Sequence, residues 1–135
     1  MEAKELYEKL EAYFSENSDL MRHLSNNACW EYVITEESTR EEPAKLRYFL
    51  LKKNSTTLEI IKENPGFKPD LILYFTEKAI LDLIQDNPSA DDYYTHYHDI
   101  MTNPRSGIEV DNKLNKPSLK LLKLGYRQWQ KDFKF

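Results

Sequence analysis

Pro69-Asp70-Leu71-Ile72-Leu73-Tyr74-Phe75-Thr76 is apolar at every position from Leu71 to Phe75 and follows the turn signal Asn64-Pro65-Gly66. A strand that is oily on both sides is buried on both faces, so this segment predicts an interior strand. Upstream, Leu46, Tyr48 and Leu50 alternate with Arg47, Phe49 and Leu51, and Lys53-Asn54-Ser55-Thr56 supplies turn chemistry before Leu58, Ile60 and Ile61. That pattern predicts a hairpin. Trp30, Tyr32 and Ile34 alternate with Glu31, Val33 and Thr35 in a further half-buried strand. The segment from Glu36 to Pro43 has no apolar period and reads as an exposed connection.

At the N-terminal end, Leu6, Tyr7, Leu10, Tyr13, Phe14, Leu20, Met21 and Leu24 form the stripe of an amphipathic helix, which the polar run Ser15 to Asp19 divides. Downstream of Phe75 the period becomes helical. Thr76 precedes Ile80, Leu83 and Ile84 as an N-cap, Asn87-Pro88-Ser89 ends that helix, and Tyr93, Tyr94, Tyr97, Ile100 and Met101 mark another, stopped by Asn103-Pro104. Gly107-Ile108-Glu109-Val110 predicts a short strand, and Pro117 opens a final helix carrying Leu119, Leu122, Tyr126, Trp129 and Phe133. Strands bunched ahead of helices predict an α+β layered fold rather than alternating βαβ units.

The 135 residues suit one domain spanning 1–135, and 40% apolar with 13% aromatic residues is ample for a folded core. A formal charge of -4 argues against nucleic acid as a partner. Cys29 is the single cysteine, so no intrachain disulfide is expected. Met1-Glu2-Ala3-Lys4-Glu5 does not read as a secretory signal, and no run approaches a membrane span, so a cytoplasmic location is expected.

The Pro-Asp-containing strand, the two helices after it, the run Ser106-Gly107-Ile108-Glu109-Val110 and the closing amphipathic helix resemble the sterol carrier protein 2 (sterol-binding domain) family. The pattern covers residues 69–135, and the helix-and-hairpin order ahead of it is compatible with the family's front half. Asp111-Asn112-Lys113 departs from the family in lacking the glycine of a Gly-Asp pair. The resemblance implies a twisted, mostly antiparallel sheet of about five strands with helices packed on one face, enclosing an apolar tunnel between sheet and helices that holds a lipid, fatty acyl chain or sterol, for binding and intracellular transfer. The lining candidates are Leu46, Tyr48 and Leu50, Leu73 and Phe75, Ile80 and Ile84, Tyr97 and Met101, and Leu119, Leu122 and Tyr126. A carrier of this kind leaves these groups incompletely packed, whereas an ordinary interior interlocks them.

The last helix also carries a basic stripe. Between Asn112 and Phe135 seven basic residues stand against one acid, Asp132. Lys116, Lys120, Lys123, Arg127 and Lys131 are the candidates for transient contact with an anionic membrane surface, the plainer reading being a solvated helix face. Gly125 inside that helix costs about 1 kcal/mol relative to Ala and marks a close backbone approach or room for a ligand. Phe49, Leu51, Ile61, Ile72 and Tyr74 give the sheet a second apolar face, a candidate surface for a homodimer.

Other motifs carry less. His96 and His98 point about 200° apart on a helix and do not share one metal ion. Cys29 has no positional argument for activation, and no Gly-x-Ser-x-Gly elbow is present. Gly66, Gly107 and Gly125 are too far apart for a phosphate cradle. Glu36, Glu37, Glu41 and Glu42 read as a solubilising patch. Phe133-Lys134-Phe135 lacks the Ser-Lys-Leu peroxisomal address. The expectation is therefore a lipid-binding domain with no catalytic residues, no cofactor and no metal. The alternatives are an interaction module with a closed core, and a small cone-shaped α+β enzyme using His96 or His98 as a base.

Overall fold

Residues 1–134 are described by the computed structural model, and Phe135 lies outside the described residues. The strands β1 (Cys29–Thr35), β2 (Leu46–Asn54) and β3 (Thr57–Ile61) form an antiparallel meander. β4 (Leu71–Thr76) then lies parallel to β1 on its other side, and β5 (Val110–Leu114) pairs antiparallel with β4. The order is β3-β2-β1-β4-β5, so β4 is an interior strand.

The registers align the apolar residues of three strands in rows: Leu50, Trp30 and Leu71; Tyr48, Tyr32 and Leu73; Leu46, Ile34 and Phe75. Side chains two apart share a face, so each row stands on the same side of the sheet. That side is covered by α1 (Ala3–Ser15), α2 (Glu77–Ile84), α3 (Ala90–Thr102), α4 (Ser118–Lys123) and α5 (Tyr126–Phe133), all contributing to one core. The fold is thus α+β, with a mixed five-stranded sheet and helices packed on it.

Local chemistry sets the boundaries. Thr76 and Ser89 cap α2 and α3, their hydroxyls accepting from the amides of Ala79 and Asp92. The N-terminal stripe does divide, α1 ending at Ser15 and a 3₁₀ turn over Ser18–Met21 carrying the buried Leu20 and Met21.

Two expectations are corrected. The short strand occupies Val110–Leu114 and not Gly107–Val110, where Arg105 and Ile108 instead bridge a turn around Gly107. β5 lies at a sheet edge, so Asp111 and Lys113 face outward and no apolar alternation marks it. The final helix is also broken. Gly125 has φ +99, and a Cβ there would stand 2.1 Å from the carbonyl oxygen of His23, so α4 and α5 meet at a corner pressed against the His23-Leu24 backbone.

On the second sheet face, Phe49 and Leu51 pack with Cys29 and Ile61 and are buried within the single chain. Tyr74 is half-buried, with the Arg40 guanidinium 4.5 Å above its ring.

Candidate functional site

The three apolar rows do not meet the same cover along their length. Over β2 and β3 the space is filled by α1: Phe14 packs edge-on against Tyr32 and beside Tyr48, and Tyr7 lies 6.2 Å from Tyr48. Over β4 and β5 the cover is α3, α4 and α5, and there a cavity of about 670 Å³ remains. Its floor is Trp30, Tyr32, Leu71, Leu73 and Phe75. Tyr94, Tyr97 and Met101 of α3 form one wall, Tyr126 and Trp129 of α5 another, and Leu119, Leu121 and Leu122 of α4 the roof. Such a volume lies within the roughly 300–1,000 Å³ of small-molecule sites.

The walls are held by ring contacts and hydrogen bonds. Tyr32 stacks on Phe75 at 5.4 Å, Trp30 meets Trp129 edge-on at 5.7 Å, and Tyr94 meets Trp129 at 5.3 Å. The Tyr94 hydroxyl and the Trp129 indole N–H both donate to the Leu20 carbonyl, pinning α3 and α5 to the 3₁₀ turn. Burial raises the hydroxyl pKa of Tyr97 to about 12 and that of Tyr94 and Tyr126 further above the ordinary value, so these phenols stay neutral.

Beside the cavity, next to its lining residues Leu71 and Tyr126, lies a polar cluster. Asp70, 1% exposed, accepts from the Tyr126 hydroxyl at 2.6 Å, from the Cys29 amide at 3.3 Å and from the Lys116 ammonium. Trp30 Nε1 donates to Tyr126 Oη at 2.8 Å. A buried carboxylate needs such partners, and this one ties the start of β4 to the chain entering α4. Burial first, then Asp70, pushes the neighbouring Cys29 thiol up to about 12, which leaves it unreactive.

No protein-family model and no curated protein matches the chain.

Of the lining candidates, Leu73, Phe75, Tyr97, Met101, Leu119, Leu122 and Tyr126 line the cavity. Leu46, Tyr48 and Leu50 do not: they lie in closed core, because α1 fills the space above β2, and Ile80 of α2 is likewise fully buried in the core away from the cavity. Ile84 borders a separate open depression between α1 and α2. Trp30, Tyr32, Tyr94 and Trp129 were not among the candidates, although the alternation of β1 already set Trp30 and Tyr32 on the core side; only the parallel pairing with β4 brings them to the cavity.

The basic candidates separate likewise. Lys120, Lys123, Arg127 and Lys131 are exposed, whereas Lys116 is turned inward against Asp70 and is withdrawn from the surface set. His98 lines the cavity and His96 does not. Among the described residues no group of three potential metal ligands occurs, and no helix is long and apolar enough to cross a membrane.

The mouth is marked by exposed apolar groups. Leu114, Leu119 and Leu122, which border the cavity, are 57%, 71% and 46% exposed. Polar side chains of Asn112, Ser118, Arg127 and Gln130 complete the rim with His98.

Proposed function

We propose that the protein binds a lipid, fatty acyl chain or sterol-like molecule in the cavity between the sheet and α3, α4 and α5, as a carrier similar to the sterol carrier protein 2 family. The observation that carries this reading is the cavity itself: an apolar space of about 670 Å³ walled by rings and aliphatic groups and opening beside exposed leucines. Natural interiors close such spaces, because each unfilled methylene-sized void costs stability. A guest that buries its hydrocarbon there gains about 25 cal/mol per Å² of apolar surface removed from water. The reading assigns binding and no bond-making step.

Loading from a bilayer fits the same surface. Arg127 lines the cavity, Lys120, Lys123 and Lys131 are exposed on the same two helices, α4 and α5, and each such cation contributes about 1 kcal/mol near an anionic membrane. Leu119 and Leu122 are placed to enter the interface beside them.

The test is titration with a fluorescent fatty acid, paired with native mass spectrometry after lipid extraction. Saturable uptake with co-purified lipid supports the carrier. A folded protein that takes up no apolar probe refutes it and favours an interaction module.

A further inference from the structure

An apolar cavity accepts the body of an amphiphile; its rim selects the head. Arg127 lines this cavity, and no Asp or Glu does. The carboxylates nearest in sequence or fold are committed elsewhere: Asp70 to Lys116 and Tyr126, Asp99 to Arg105, Asp111 to Arg40, and Asp132 to Arg22 and His23. Among the described residues Arg127 has no ion-pair partner, and neither do its neighbours Lys120 and Lys123. From Asn112 to Lys131 the chain carries six basic residues and no acid, within a protein whose net charge is -4. Charge of one sign at the edge of a low-dielectric cavity concentrates its field there.

A neutral hydroxyl head accepts at most a single hydrogen bond from such an edge and gains little from its charge. An anionic head does, since the planar guanidinium donates two parallel N–H bonds to a carboxylate or a phosphate. We infer that the cavity selects amphiphiles with an anionic head, a carboxylate or phosphate, held at the mouth by Arg127 with the hydrocarbon inside against Trp30 and Phe75. Gln130, one turn along α5, adds an amide donor at the same rim. This inference rests on the carrier reading and sharpens its ligand class.

Calorimetry with three ligands of equal chain length tests it: lauric acid, lauryl alcohol and lauryl phosphate, at neutral pH and below their aggregation concentrations. The acid and the phosphate are expected to bind about threefold to tenfold more tightly than the alcohol, and added salt to narrow the gap. Arg127→Gln should bring both anions down to the alcohol's affinity, while Arg127→Lys retains part of the preference. Which anion binds more tightly tells carboxylate from phosphate. Equal affinity for alcohol and anions, or a preference that survives Arg127→Gln in a protein with unchanged circular dichroism, overturns the inference and leaves the carrier intact. Absence of saturable binding by all three overturns both.

Discussion

The indole N–H of Trp30 on β1 donates to the hydroxyl of Tyr126 on α5, 2.8 Å away, and that hydroxyl donates in turn to the buried Asp70 carboxylate. One phenol thereby satisfies two buried groups and fixes α5 over the sheet. Tyr126→Phe removes an acceptor and a donor at once. It is expected to lower the free energy of unfolding by about 1–3 kcal/mol in urea denaturation. A variant as stable as the parent would mean that these groups find other partners.

Gly125 holds the corner between α4 and α5. Gly125→Ala places a methyl against the His23 carbonyl and an L side chain at positive φ, so either the corner or the loop before β1 must move. A loss of about 2 kcal/mol or more is expected, read as a lower Tm. An unchanged Tm would show that the corner is not packed as described.

Leu122 and Leu50 separate roof from core. Leu122 is 46% exposed and Leu50 fully buried, so Leu122→Asn should leave stability nearly unchanged while weakening uptake of a lauryl ligand about tenfold. Leu50→Ala should instead cost about 2–5 kcal/mol of stability. Equal loss of folding and binding at Leu122 would make it a core position.

Alkaline pH tests the buried phenols. Burial raises the pKa of Tyr13, Tyr32, Tyr48, Tyr93, Tyr94, Tyr97 and Tyr126 above the ordinary 10.0, that of Tyr97 to about 12. A pKa higher in the folded state gives stability that is whole below pH 10 and is lost as pH rises through the folded values. The denaturation midpoint should hold to about pH 10 and fall steeply above it, with tyrosinate absorbance appearing together with unfolding. Full ionisation near pH 10 in a folded protein would contradict this burial.

Local pattern carried much of the fold. The alternation of Trp30, Tyr32 and Ile34, the Asn54-Ser55-Thr56 turn and the capping Thr76 are signals that act within a few residues, and each element they specify is present. Contacts between distant segments were not legible. Leu119, Leu122, Tyr126, Trp129 and Phe133 keep helical spacing straight across Gly125, so only the approach of His23, a hundred residues earlier, breaks the helix. β5 is polar because only its inward positions need be apolar at a sheet edge. Alternation likewise told which residues of β2 share a face but not that α1 covers the face of Leu46, Tyr48 and Leu50, which is why these fall in closed core. Asp70 read as the entry to a strand, and its partners Lys116 and Tyr126 come from the far end of the chain.

Both tryptophans of the chain line the cavity, Trp30 on the floor and Trp129 on the wall, so their two indole N–H resonances report on it directly. Titration of the isotope-labelled protein with lauric acid, followed by these two signals, is the sharpest test of a vacant, ligand-accepting interior. Both resonances are predicted to shift and to saturate stoichiometrically. If both stay fixed while the spectrum remains that of a folded protein, the cavity takes no such guest and the carrier account is wrong.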